Sequence, residues 1–174
     1  LKAIVGSAGY REGADIESKN FQDAMGARSI APVLLLRPDS TKQVSEILKC
    51  CHAAGQPVAP QGGMTGLVSA AAPLEGEISL SFERMKKVVE VDPYTSSMTV
   101  EAGAELQTIQ EKADAHGLLF PLDLGARGSC TIGGNLSTNA GGNRVIRYGM
   151  MRELVVGLEA VLADGTIIDG LHKL

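Results

Sequence analysis

Glycine is the residue that most constrains how this chain can fold. There are 21 glycines among 174 residues, and a glycine adds no side chain to a hydrophobic core while it frees the backbone from most steric restrictions. This content therefore needs a reason in the backbone, such as tight turns or the close approach of another group. Two segments in which glycines cluster with small polar residues are the most informative.

The first segment, the glycine loop, comprises residues 60–67 and reads PQGGMTGL. It follows a short predicted strand at Gln56–Ala59, and a strand that runs into closely spaced glycines can direct several backbone N–H groups toward one anion. Its spacing is neither GxGxxG nor that of a P-loop, and it contains no Lys or Arg. The alternative interpretation is a tight turn that needs positive φ.

The second segment, the glycine-rich stretch, comprises residues 121–142 and reads PLDLGARGSCTIGGNLSTNAGG. It has six glycines, only two charged residues (Asp123 and Arg127) and many neutral hydrogen-bonding groups. Such a surface suits a large ligand that is contacted by backbone and small side chains. Close packing against a helix or sheet is the alternative, but two such segments in one chain favour a bound cofactor.

Periodicity and turn signals predict an α+β fold. Helices are expected at Thr41–Ala54 and Ala104–His116, each followed by a glycine. Short strands are expected at Ile78–Ser81, Lys87–Val91, Met98–Glu101, Val155–Leu162 and Thr166–Asp169, the last four as two hairpins. The length suits one domain or two small lobes of one folding unit.

Composition argues against several classes of protein. The 16 basic and 20 acidic residues give a net charge of −4 without a basic cluster, so nucleic acid is not an expected partner. The longest apolar run, Ile30–Leu36, is far shorter than the ~20 residues of a membrane-spanning helix, so no transmembrane segment is expected.

The three cysteines do not form a disulfide framework or a metal knuckle. They are Cys50, Cys51 and Cys130, and with no visible export signal they predict a cytoplasmic location. His52, His116 and His172 lack the spacing of metal ligands, so no metal site is expected. Glu159 and Asp164 are interpreted as a strand residue and a turn residue rather than an acid/base pair.

Both glycine segments, with Arg147-Tyr148-Gly149 and residues 157–165 (GLEAVLADG), resemble the FAD-binding domain of the vanillyl-alcohol oxidase and p-cresol methylhydroxylase type. The order and spacing are most similar to the branch that contains D-lactate dehydrogenases, D-2-hydroxyglutarate dehydrogenase and a subunit of glycolate oxidase. The resemblance covers nearly the whole chain. It departs from the family pattern at Gln61, where relatives often have a basic residue, and at Ser69-Ala70-Ala71, which replace glycines.

The resemblance implies two small α/β lobes, roughly residues 1–85 and 86–174, with FAD held non-covalently in the cleft between them. The pyrophosphate would lie on Gly62–Gly66, the flavin and ribityl chain along Ser129–Gly142, and the adenine end near Val156 and Gly157. Relatives with covalent flavin use His or Cys, but the neighbours of Cys130 are those of the non-covalent branch. The implied cofactor-binding residues are Pro60, Gln61, Gly62, Gly63, Met64, Thr65, Gly66, Leu67, Pro121, Gly128, Ser129, Thr131, Ile132, Gly133, Gly134, Asn135, Thr138, Asn139, Gly141, Gly142, Tyr148, Val156 and Gly157.

The function that the resemblance implies is the FAD-binding portion of a dehydrogenase or oxidase that converts a small 2-hydroxy acid (D-lactate, glycolate or D-2-hydroxyglutarate) to the 2-oxo acid. The substrate site would lie on a cap domain outside this chain, so no catalytic residue is predicted and the chain alone is expected to be inactive. Two alternatives stay open: an FAD-carrying electron-transfer subunit, and a flavin-free structural or ligand-sensing module. Assembly as a homo-oligomer is also left open.

Overall fold

The chain divides into two structural units. The computed structural model describes residues 1–26 and 28–171. Unit 1 contains residues 1–84 and the segment that starts at Val156, and unit 2 contains Met85–Val155. The last segment thus belongs to unit 1, whereas the sequence placed residues 86–174 together in a second lobe.

Unit 1 contains a four-stranded sheet. Its strands are β1 (Tyr10–Arg11), β2 (Leu35–Leu36), β3 (Val58–Gln61) and β4 (Ile78–Ser81), in the order β1-β2-β4-β3. Strand β4 is parallel to both β2 and β3, and β1 is antiparallel to β2. All four residues of β4 are buried, as is typical of a parallel strand covered on both faces.

Helix α2 (Thr41–Ala53) connects β2 to β3 and confirms the helix predicted at 41–54. It begins at Ser40, whose hydroxyl accepts a hydrogen bond from the amide of Gln43, and an N-cap of this kind satisfies one of the free N–H groups of the first turn. The apolar face packs inward, and Val44 and Ile47 are fully buried. Helix α1 (Lys2–Gly9), interrupted at Gly6, precedes β1, and 3-10 turns at Gly13–Asp15 and Ser18–Asn20 lie between β1 and β2.

An antiparallel hairpin near the end of the chain completes unit 1. Its strands, β7 (Glu159–Val161) and β8 (Ile167–Asp169), confirm the predicted hairpin but are shorter than expected. It contacts α2 of the same unit, where the Ser45 hydroxyl donates to the carbonyl oxygen of Gly165. Residues more than a hundred positions apart therefore meet here, which the sequence pattern did not predict.

Unit 2 combines a hairpin with short helices. The hairpin consists of β5 (Val88–Asp92) and β6 (Ser97–Val100) and confirms the prediction. The helices are α3 (Leu106–Asp114), α4 (Ile132–Ser137), α5 (Val145–Tyr148) and a 3-10 turn at Met151–Leu154. The core of unit 2 is formed by the buried residues Ala104, Leu106, Ile109, Leu122, Cys130, Ile132 and Met151.

The α+β class is confirmed, with two local differences. Helix α3 is shorter than the predicted Ala104–His116, because its first and last turns are replaced by loop hydrogen bonds. Helix α4 lies inside the glycine-rich stretch, where no helix was predicted. Within the described ranges, no helix is long and apolar enough to cross a membrane.

Candidate functional site

The glycine loop leaves the sheet at the carboxyl end of β3, where Pro60 and Gln61 are the last strand residues. No described residue accepts a hydrogen bond from the backbone N–H groups of residues 62–66. Met64 has a left-handed backbone (φ 56°), and Gly66 has no atom within 4 Å of the position that a Cβ would take. The loop therefore presents amide donors that no described residue uses, half-buried at residues 62–65 and exposed at Gly66, which is the chemistry that an anion needs.

Gln61 directs its side chain into unit 1 and is only 1% exposed. Its Nε2 donates to the carbonyl oxygens of Asn20 (2.7 Å) and Ala71 (3.0 Å), and it lies 2.9 Å from the hydroxyl of Ser79. The N–H donors of the Gln61 carboxamide are thus used by the protein itself rather than offered to an anion.

A second set of polar contacts holds Ser69, which follows the glycine loop in the connection between β3 and β4. The Ser69 hydroxyl donates to Oδ2 of Asp23 over 2.6 Å, and Asp23 is buried. The guanidinium of Arg28 lies 3.5 Å from the Ser69 carbonyl oxygen. Leu67 and Val68, between the two contacts, are 73% and 75% exposed, so polar contacts rather than apolar packing fix this segment.

The glycine-rich stretch is more tightly built into its unit. The amide of Gly133, in the first turn of α4, donates to the Ala102 carbonyl oxygen over 2.8 Å. A Cβ at Gly133 would lie 2.9 Å from both the Cβ and the carbonyl oxygen of Ala102. Gly142 has φ 113°, and a Cβ there would overlap the Asp123 carbonyl oxygen. Both glycines are needed for close packing of the backbone, whatever else the stretch binds.

Most polar side chains of the stretch also bond within unit 2. Asn135 is buried and donates to the sulfur of Cys130, and the Asn139 side-chain oxygen accepts from the Arg152 amide over 2.9 Å. The Thr138 hydroxyl donates to the carbonyl oxygen of Gly134. Burial raises the pKa of the Cys130 thiol, so this cysteine is a packed neutral thiol, in agreement with the sequence interpretation.

Two buried polar atoms in these segments are left without partners. They are Oε1 of Gln61 in the glycine loop and Oγ1 of Thr131 in the glycine-rich stretch, and Nε of Arg37 is a third among the described residues. A buried polar atom without a partner is costly and is usually satisfied by water or a ligand. FAD, which carries hydroxyl and N–H donors as well as an anionic pyrophosphate, fits the Thr131 hydroxyl and the free amides of residues 62–66, whereas the Gln61 oxygen lies in the interior of unit 1.

The other predicted binding residues lie in varied surroundings. Val156 is 93% exposed, and Gly157 lets the chain pass close to the Gly170 carbonyl oxygen. Tyr148 is half-buried beside an open depression, with the Arg147 guanidinium 5.2 Å from its ring centre. The remaining predicted residues range from buried to exposed and are Leu67, Pro121, Gly128, Ser129, Ile132 and Gly141.

The titratable residues singled out in the sequence lie, where the structure describes them, at helix ends, in a strand and in a turn. His52 and His116 are exposed at helix ends, and His172 lies outside the described residues. Glu159 lies in β7, and Asp164 accepts a hydrogen bond from the amide of Thr166 in the turn, which lowers the pKa of its carboxyl. No cluster of three or more metal-ligating side chains is present among residues 1–26 and 28–171.

Comparison with known proteins decides the family. The family model described as FAD binding domain matches residues 32–170. The chain belongs to the FAD binding domain family. This confirms the cofactor that the sequence resemblance implied, because FAD is the ligand for which the family is described.

Solved structures share the fold of this FAD-binding domain. An alkyldihydroxyacetonephosphate synthase structure aligns with a TM-score of 0.86 at 22% identity, over 97% of this chain and 36% of that chain. The structure of p-cresol methylhydroxylase with substrate bound aligns with a TM-score of 0.75 at 20% identity, over 96% of this chain and 33% of that chain. The fold expected from the resemblance is therefore confirmed.

Curated relatives are closer in sequence and longer. The mitochondrial D-2-hydroxyglutarate dehydrogenase of Bos taurus is 41% identical over 174 residues, which is 100% of this chain and 32% of that protein. The chain thus spans about a third of the length of this relative. The FAD-binding domain described here corresponds to one part of the longer protein.

The predicted cytoplasmic location is wrong. The relatives from cow, rice and fission yeast are all named as mitochondrial. The prediction rested on Cys50, Cys51 and Cys130, which are free thiols in the structure. Free thiols argue only against an oxidising compartment, and they do not distinguish the cytoplasm from another reducing compartment.

Proposed function

We propose that this chain is the FAD-binding portion of a flavin-dependent dehydrogenase that oxidises a D-2-hydroxy acid of the D-2-hydroxyglutarate type to the 2-oxo acid. Support for the reaction comes from the name of the cow relative, which covers this chain completely. The structural observation that supports the binding role is the set of unpaired amides of residues 62–66. They supply positive potential to an anion in a loop that has no basic side chain.

In this proposal each segment has a separate task. The glycine loop would bind the FAD pyrophosphate through its amides, while Thr131 and the residues around it would hydrogen-bond the flavin and ribityl groups without a covalent bond. FAD, once bound, supplies the acceptor for the two electrons that leave the substrate. The substrate's hydroxyl proton would be taken by a residue outside these 174, because neither segment places an unpaired base at its surface.

Anaerobic titration of the purified protein tests both parts of the proposal. We expect these 174 residues to retain FAD after gel filtration, seen as a flavin absorbance band that elutes with the protein. Added D-2-hydroxyglutarate should leave that band unchanged here, but should bleach it in the longer protein. Loss of all FAD during gel filtration and in equilibrium dialysis would contradict the binding role. Rapid bleaching of the flavin band in the 174-residue protein would show that these residues contain a base.

A further inference from the structure

The side chain of Gln61 closes the connection that contains the glycine loop. The connection from β3 to β4 spans residues 62–77, and Nε2 of Gln61 donates to the carbonyl oxygen of Ala71, inside it, over 3.0 Å. The same nitrogen donates to the Asn20 carbonyl oxygen and lies 2.9 Å from the Ser79 hydroxyl. One buried carboxamide therefore ties the start of the connection to Ala71, to the 3-10 turn that ends at Asn20 and to strand β4.

The orientation of this carboxamide is fixed by chemistry. If the group were turned over, Oε1 would face the carbonyl oxygens of Asn20 and Ala71, and three acceptors without a hydrogen between them repel one another. The backbone of Gln61 is held as well, since its carbonyl oxygen accepts from the amide of Phe82 over 3.1 Å. The residue directly before the unpaired amides is thus among the most constrained of unit 1.

Between Gly66 and Val68 the described part of the chain supplies few other restraints. Leu67 and Val68 are largely exposed, and Gly66 has no neighbour at the Cβ position. The next residue, Ser69, is held by the buried Asp23 through a 2.6 Å hydrogen bond. Because ordering a loop upon binding reduces affinity, a loop that is already held in its binding conformation binds more tightly.

We propose that Gln61 is a positioning residue, which holds the glycine loop in the conformation that presents its amides to the FAD pyrophosphate, with the Asp23–Ser69 hydrogen bond as a second restraint. This inference rests on the proposed FAD-binding role of the loop. It assigns Gln61 an indirect part in binding, in place of the direct contact that the sequence resemblance implied.

NMR relaxation and FAD affinity, measured separately on the full chain, test the inference. In Gln61→Met, which keeps the length of the side chain and removes its donors, the backbone order parameters of residues 62–70 should fall in FAD-free protein, and the Kd for FAD should rise about ten-fold. The matched control is Gln56→Met, because Gln56 also donates to two backbone carbonyls of unit 1, those of Pro57 and Gly76, away from the loop. The control should change the Kd by less than about two-fold.

Two further variants keep the test decisive if Gln61→Met does not fold. Ser69→Ala removes the contact to Asp23 at a half-buried position and should lower the loop order parameters and raise the Kd for FAD, both by smaller factors. In Gln61→Glu, the Kd for FAD should approach the wild-type Kd as the pH falls, because a protonated carboxyl regains one donor toward Ala71 or Asn20. A general loss of stability would not restore affinity at low pH.

The outcomes separate this inference from the proposed function. Lower order parameters of residues 62–70 in Gln61→Met, in a chain that does not bind FAD at all, would support positioning and contradict the proposed function. Wild-type order parameters together with wild-type FAD affinity in Gln61→Met, or in Ser69→Ala and Gln61→Glu where that variant is unfolded, would overturn the inference.

Discussion

At Gly66 in the glycine loop, no atom lies within 4 Å of the position of an added Cβ, whereas at Gly133 in the glycine-rich stretch an added Cβ would lie 2.9 Å from Ala102. Both segments have clustered glycines and few charges. In the stretch, glycine lets two parts of the backbone touch. In the loop, Gly66 makes no such contact, and the amides of residues 62–66 have no described partner, which is useful to a ligand.

This difference teaches that glycine content does not by itself identify a binding surface. Many amides of the stretch, among them those of Gly133, Asn135, Thr138 and Asn139, donate to carbonyls of unit 2, and the amides of residues 62–66 donate to no described residue. Substitutions in the stretch should therefore act on stability first, and substitutions in the loop should act on FAD binding.

The largest effect is expected for Gly142→Ala. The backbone at Gly142 is left-handed (φ 113°) and an added Cβ would overlap the Asp123 carbonyl oxygen, so the free energy of unfolding should fall by about 3 kcal/mol or more. Urea unfolding of FAD-free protein measures this change. Gly141→Ala is the control, because its nearest neighbour is Met150 Cε at 3.7 Å, and equal losses in both variants would contradict the packing role.

A smaller loss is expected for Gly133→Ala. The Ala102 Cβ and carbonyl oxygen must move to admit the methyl group, which costs about 1 to 3 kcal/mol. The neighbouring Gly134→Ala meets only the Thr131 hydroxyl at 3.4 Å and should be nearly neutral. Comparing the urea midpoints of these two variants decides the point, and a more damaging Gly134→Ala would reverse our account of α4.

Gly66→Ala should separate binding from stability. Since Gly66 has open space around it and no positive φ is involved, the free energy of unfolding should stay the same or rise by up to about 1 kcal/mol. The Kd for FAD should rise about ten-fold, because a methyl group in the loop limits the approach of the pyrophosphate.

The control for the loop variant lies in the glycine-rich stretch. Gly125 has equally open surroundings, so Gly125→Ala should affect stability as Gly66→Ala does and should leave the FAD affinity unchanged in fluorescence titrations. An unchanged Kd in Gly66→Ala would indicate that the loop does not approach the cofactor, and the contrast between the two segments would then concern packing alone.

The smallest effect concerns pH. Burial raises the pKa of Cys130 above the ordinary 9.0, so the folded state keeps the thiol proton where the unfolded chain loses it. The stabilisation is complete below the unfolded pKa and disappears as the pH rises through the folded pKa. The free energy of unfolding should thus fall above pH 9, and less steeply in Cys130→Ala. Identical slopes for both proteins between pH 8 and 10 would contradict this.

Several parts of the molecule were predictable from sequence because they depend on neighbours along the chain. Helix α2 follows from the Ser40 cap and the spacing of Val44 and Ile47, and both hairpins follow from turn residues between short apolar runs. The glycine motifs likewise carried the family resemblance that the comparison confirmed. In each case a few adjacent residues contain the physical information.

What only the tertiary structure decided depends on residues far apart in sequence. Strand β4 lies between β2 and β3 in parallel, and the last hairpin joins unit 1, because sheet order and packing are chosen by the whole apolar surface to be buried. The different surroundings of Gly66 and Gly133 also depend on which distant residues the fold brings near each glycine. The buried side chain of Gln61 meets partners 41, 10 and 18 positions away, and the local sequence around it contains none of them.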